Sequence, residues 1–265
     1  MLMEHVEEIK NLAHNIDVRI NLFEGYSPKK LDGYKGEIRF WREIVSIYGL
    51  YADCDRVQIK EKNNLFELLV KYSLIDDAEY KTIRRFWDDV SILRKWFCHN
   101  NDLNLHFNSE RNKRLTRYLN NTFLCNTDKP GSIEEIKDKD WELMCYIMGT
   151  SYSEYIRILQ KGLQAWQESS DKSEMVDQWI NIFSNALFGD RELINNVLAD
   201  IALYDITNKG ITNISVADLS NAYYNKILSV GFSKKYIEDE LKNEPLKIRT
   251  NKEIVYQSIC NSKLI

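Results

Sequence analysis

The chain has 265 residues, enough to bury a sizeable core, and its 36 basic and 40 acidic residues leave a net charge of −4. That balance excludes a uniformly basic nucleic-acid coat, and 3 prolines with 10 glycines argue against a turn-rich β-sandwich. No apolar run approaches the ~20 residues of a membrane span, and Cys54, Cys98, Cys125, Cys145 and Cys260 contain no CxxC, so a cytoplasmic, membrane-free protein with reduced thiols is expected.

Apolar residues recur at helical spacing along nearly the whole chain. The pattern predicts helices over 2–23, 37–53, 63–74, 78–99, 110–124, 133–148, 152–168, 174–188, 190–205, 216–230, 234–242 and 251–262. The first lacks the apolar core of a signal peptide, since Glu4, Glu7 and Glu8 interrupt it. Ser132-Ile133-Glu134-Glu135 and Ser151-Tyr152-Ser153-Glu154 match the capping box, with Ser215 and Asp218 as a weaker version. Gly131, Gly149, Gly189, Gly210 and Gly231 fall where helices should stop. The polar stretch Asn126 to Gly131, with its Pro-Gly turn pair, is the best division, giving 1–127 and 128–265. It is too short for a flexible tether, so two packed lobes and one continuous helical domain fit equally well.

The segment 78–99 is strongly amphipathic. Ile83, Phe86, Trp87, Val90, Leu93 and Phe97 fall within a sector of roughly 120° at about 100° per residue. Arg94 projects into that sector, and a guanidinium among apolar side chains calls for a partner. His99 is offset from Arg94 by about 140° on a regular helix. Asn100-Asn101-Asp102 are poor helix formers, so His99 is expected in the last turn, where the backbone can re-aim it.

The run Leu93-Arg94-Lys95-Trp96-Phe97-Cys98-His99-Asn100-Asn101 resembles the signature of the HEPN superfamily of helical RNA-cleaving domains. That signature is an arginine, four to six residues and a histidine at the end of an amphipathic helix, often followed by asparagine. The family usually has a small polar residue after the arginine; here Lys95 keeps a donor there. The resemblance covers this helix alone. It implies an all-α HEPN-like bundle, with additional C-terminal helices here, and a homodimer whose two motifs meet at the interface. It further implies metal-independent RNA cleavage, as in bacterial toxins and anti-phage defence effectors, and with it an antitoxin or defence-system partner.

Arg94 and His99 would be the catalytic pair. The 2′-hydroxyl of RNA is the nucleophile, histidine titrates near neutrality, and the arginine fork matches phosphate oxygens. Between Arg84 and Arg117 eight basic and four acidic residues make a local +4, leaving −8 for the rest of the chain. Arg111, Arg114 and Arg117 share a helix face and, with Lys95, Asn100 and Lys113, are the expected RNA contacts.

Competing signals are weaker. His106 with Cys98 has no zinc spacing, and Asp138-Lys139-Asp140 has no strand around it to make a metal nuclease. Asp53 with Asp55, Asp76 with Asp77, and Asp88 with Asp89 read as turn and cap residues. No P-loop, GxGxxG, GxSxG or HExxH occurs, so no cofactor is expected. The six tryptophans read as core. Rival readings are a non-catalytic adaptor, antitoxin or regulatory subunit, and a DNA-binding regulator using the turn Gly231 to Tyr236.

Overall fold

A computed structural model describes residues 2–20, 22–23, 31, 33–50, 58–99, 109–123, 136–243 and 250–263, side chains of 2–4, 58–64, 98–99, 109–112 and 243 excepted. The described residues are all-α, as expected. They form α1 (Leu2–Ile16), α2 (Gly36–Tyr48), α3 (Gln58–Lys71), α4 (Asp77–His99), α5 (Ser109–Thr122), α6 (Asp138–Glu168), α7 (Lys172–Gly189), α8 (Arg191–Asn208), α9 (Val216–Ser229), α10 (Lys234–Asn243) and α11 (Asn251–Asn261). None of them is long and apolar enough to cross a membrane.

Two expected boundaries differ for local reasons. α1 stops at Ile16 rather than continuing to 23, because the Asp17 carboxylate accepts from the backbone N–H of Arg19 at 2.9 Å and from its guanidinium at 2.7 and 2.8 Å. A side chain that takes over a backbone donor competes with the helix ladder. The second difference is larger. The expected pair 133–148 and 152–168 is one 31-residue helix, α6, that runs straight through Gly149. Ser151 and Glu154, expected as a capping box, lie inside α6, and Thr150 and Ser153 donate back to the carbonyls of Tyr146 and Gly149 at 3.0 and 2.9 Å. A Cβ at Gly149 would lie 3.9 Å from Oε1 of Glu43, an ordinary contact. The glycine ends no helix.

The chain divides into two compact units. The first draws on Met1–Ile9, Gly25–Cys54 and Leu69–Ala165. In it α2 packs on α4 and α4 on α5. Its core holds Phe40, Ile44, Phe86, Leu93, Met144 and Tyr155, with Phe86 stacked on Tyr155 at 5.2 Å. α6 closes against the chain before α4 at Gly162, where a Cβ would stand 2.8 Å from Leu69 Cδ1 and 3.2 Å from Ile75 Cγ2.

The second unit draws on Lys10–Glu24, Asp55–Leu68 and Trp166–Ile265. α8 packs on α7, α9 and α11, and α10 on α7 and α11. Caps begin its helices where the residue types allow. Asp190 accepts from Leu193 N at 3.0 Å, Ser215 from Asp218 N at 3.1 Å as expected, and Thr250 with Glu253 completes a capping box. Gly210 and Gly231 follow α8 and α9 with φ of 68° and 81°, the left-handed backbone glycine adopts without strain. The polar stretch 126–131 and the capping box at 132–135 lie outside the described residues.

Candidate functional site

α4 begins on a reciprocal cap. Glu79 N donates to the Asp76 carboxylate at 2.8 Å, and Asp76 N donates to Glu79 at 3.0 Å. From there the helix runs unbroken to His99. Its buried residues are Ile83, Phe86, Val90, Ile92, Leu93 and Trp96. This differs from the expected stripe. Ile92 and Trp96 are inside, whereas Phe97 is 43% exposed, because α4 meets neighbours on more than one side.

The C-terminal end of α4 packs against α2. Phe97 stacks on Trp41 with centroids 4.5 Å apart and planes at 23°, and Arg94 holds its guanidinium 4.7 Å over the Tyr48 ring. Trp41 is itself 5% exposed and meets Trp96 and Trp141 edge-on at 5.8 and 5.6 Å. A rigid aromatic block thus sits under the motif. Arg94 is half-buried, and among the described residues no carboxylate pairs with it. Its charge is met by a ring face, a contact that leaves the in-plane donors of the fork unspent.

Lys95 is half-buried beside Arg94. His99 is the last residue of α4 and its side chain, like those of Cys98 and Arg111, is not described; Asn100 and His106 lie outside the described residues. The backbone alone sets Arg94 and His99 five positions apart on one regular helix, which keeps the offset of about 140° within one chain.

The α5 cations are engaged. Arg114 Nη1 lies 3.6 Å from Asp88 Oδ1, and Arg117 Nη2 lies 3.6 Å from Asp89 Oδ1. Lys113 is exposed and has interactions of its own. Asp88 and Asp89 are therefore not turn residues; they stand mid-helix on α4, facing α5. Asp138 and Asp140 do act at a helix start, where Asp140 accepts from Lys137 N at 3.2 Å.

Sequence reasoning passed over the buried carboxyl of Glu43 and missed the environment of the half-buried Asp89. Glu43 on α2 is 8% exposed and its Oε2 is buried without a hydrogen-bond partner. Burial raises its pKa, and Arg39 offsets that only in part. Asp89 is alike: 3.6 Å is too long for a hydrogen bond to Arg117, and burial pushes its carboxyl up to about 6. The signal was faint. An acid at a position of the helix that periodicity assigns to neither face is usually solvated.

Asp89 has a consequence for stability. Its folded pKa of about 6 lies above the ordinary 3.8, so the folded chain binds this proton more tightly than the unfolded one. Stability then falls as pH rises from 3.8 to about 6 and is flat above. Asp89→Asn is expected to stabilise the chain near pH 8 by up to roughly 2–3 kcal/mol and to change little near pH 4. Urea denaturation at both values checks this, and equal midpoints for variant and parent near pH 8 would contradict it.

Compared with protein families, with curated proteins and with solved structures, the chain finds no match.

Proposed function

We propose that the chain is an endoribonuclease of the HEPN type that works as a homodimer, with Arg94 and His99 at the reacting phosphodiester. The observation that carries the reading is Arg94. A half-buried guanidinium, held over Tyr48 and met by no carboxylate among the described residues, stands on α4 about one turn before the histidine that ends it. Positive charge that no described carboxylate neutralises suits an external anion.

RNA supplies the nucleophile. The 2′-oxygen attacks phosphorus and gives up its proton, the P–O5′ bond breaks, and the 5′-oxygen takes a proton. The products are a 2′,3′-cyclic phosphate and a 5′-hydroxyl. His99 serves as general base or acid in this exchange, and Arg94 stabilises the charge that builds on the phosphoryl oxygens. The offset between the two on one helix makes a second copy the natural source of the missing group. Toxin or anti-phage defence biology is the expected setting for such an activity, in the cytoplasm, under control of a partner protein.

One observation favours a second reading, a non-catalytic adaptor, antitoxin or regulatory subunit. Arg114 and Arg117, expected to hold RNA, are occupied by Asp88 and Asp89. Incubation of the chain with mixed RNA in excess chelator separates the two. Cleavage to cyclic-phosphate ends is expected. Intact RNA at high enzyme concentration would favour the adaptor, and cleavage that requires magnesium would reject the mechanism.

A further inference from the structure

We infer that the seam between α2 and the end of α4 is a stacking surface for single-stranded RNA, with Phe97 as the ring on which a base lies. The inference rests on the ribonuclease reading for the identity of the ligand. It rests on the seam's own geometry for the mode of binding.

Phe97 is the key. It exposes 43% of its surface although one face is covered by Trp41 at 4.5 Å. Trp41 is fixed from below by Trp96 and Trp141. The outer ring is therefore held in place before any ligand arrives, and little side-chain freedom remains to be lost on stacking. Ile38 and Val45 on α2, and Tyr34 just before it, are exposed. Helical spacing puts Ile38, Arg42 and Val45 on one side of α2.

Two arginines each lie on a tyrosine. Arg42 is 4.1 Å over Tyr34, and Arg94 is 4.7 Å over Tyr48. The Nε of Arg42 is buried, whereas a half-buried guanidinium stacked by its face, as Arg94 is, keeps in-plane N–H groups that phosphate oxygens can accept. Across Lys35 to Tyr48 and the last two turns of α4, Lys35, Arg39, Arg42, Arg94 and Lys95 stand against Glu37 and Glu43, and Glu43 is buried. An exposed ring between cations on a net positive strip fits the two parts of a single strand, base face and phosphate. A duplex offers phosphates but keeps its base faces covered.

The test uses an oligonucleotide of about ten residues, fully 2′-O-methylated so that it lacks the attacking hydroxyl, at one fixed salt concentration. Fluorescence anisotropy with the full chain is expected to show binding that Phe97→Leu weakens by about 5- to 150-fold, the range of one base stacked on an aromatic ring. Phe97→Tyr, which keeps the ring, should retain it. Annealing the complement should abolish the ring-dependent part. Equal affinity for parent and Phe97→Leu overturns the stacking surface even if natural RNA is cleaved. Ring-dependent binding by a chain that never cuts natural RNA keeps the surface and removes the ribonuclease reading. Should Phe97→Leu dissociate a dimer and leave oligonucleotide affinity unchanged, the seam is a subunit contact and the inference falls.

Discussion

Replacing His99 by alanine is expected to slow RNA cleavage by about 10²- to 10⁴-fold, the usual loss when a positioned acid or base is removed. α4 stays helical to His99, the last residue of the helix. Histidine is the side-chain type suited to exchanging protons at neutral pH without help from a metal. Arg94→Ala should cost a comparable factor by removing the donors that meet the phosphoryl oxygens. Arg94→Lys should recover little, since an ammonium neither stacks on Tyr48 as a plane nor offers a fork. Initial rates on a fluorogenic RNA in chelator, with circular dichroism to verify folding, measure all three. A folded His99→Ala chain that cuts at the parent rate would remove histidine from the chemistry.

The second large effect concerns stability. Trp96→Ala is expected to cost about 3–5 kcal/mol, a substantial share of the roughly 5–15 kcal/mol that holds a typical domain together. Trp96 is among the largest fully buried side chains, and its ring meets Trp41 edge-on. Deleting it opens a cavity under the one ring that supports Phe97, and α2 and α4 cannot both close in without disturbing the Trp41–Phe97 stack. The urea midpoint should fall sharply with the slope unchanged. Trp96→Phe should cost less, because most of the apolar volume remains. A midpoint within experimental error of the parent would mean that the aromatic block is not part of the folding core.

Most of the helical framework could be read directly from residue spacing, and the reasons for the misses are specific. α7 to α11 each differ from expectation by three residues or fewer at either end, because an apolar face alternates there with solvent and capping residues stand at several of the starts. α6 defeated the reading at Gly149. A glycine beside serine- and threonine-bearing turns looks like a stop, but the helix continues through it, because a glycine with helical backbone costs the ladder only about 1 kcal/mol. α4 was placed correctly in the chain, but its buried face was not. Periodicity reports a helix covered on one side; Ile92 and Trp96 are covered from another, and Phe97, apolar and in register, is left outside. The motif pair was legible as a spacing. Tyr48 beneath Arg94 was not, since the contact depends on how α2 lies along α4. Nor was the engagement of Arg114 and Arg117, which requires α5 to fold back along α4.

That fold-back has an electrostatic outcome for any approaching polyanion. Asp88 and Asp89 turn two of the α5 cations into short dipoles whose fields decay quickly with distance. These two cations therefore exert less long-range pull than their number suggests, whereas Arg94, nearer the end of α4, carries its charge over an uncharged ring.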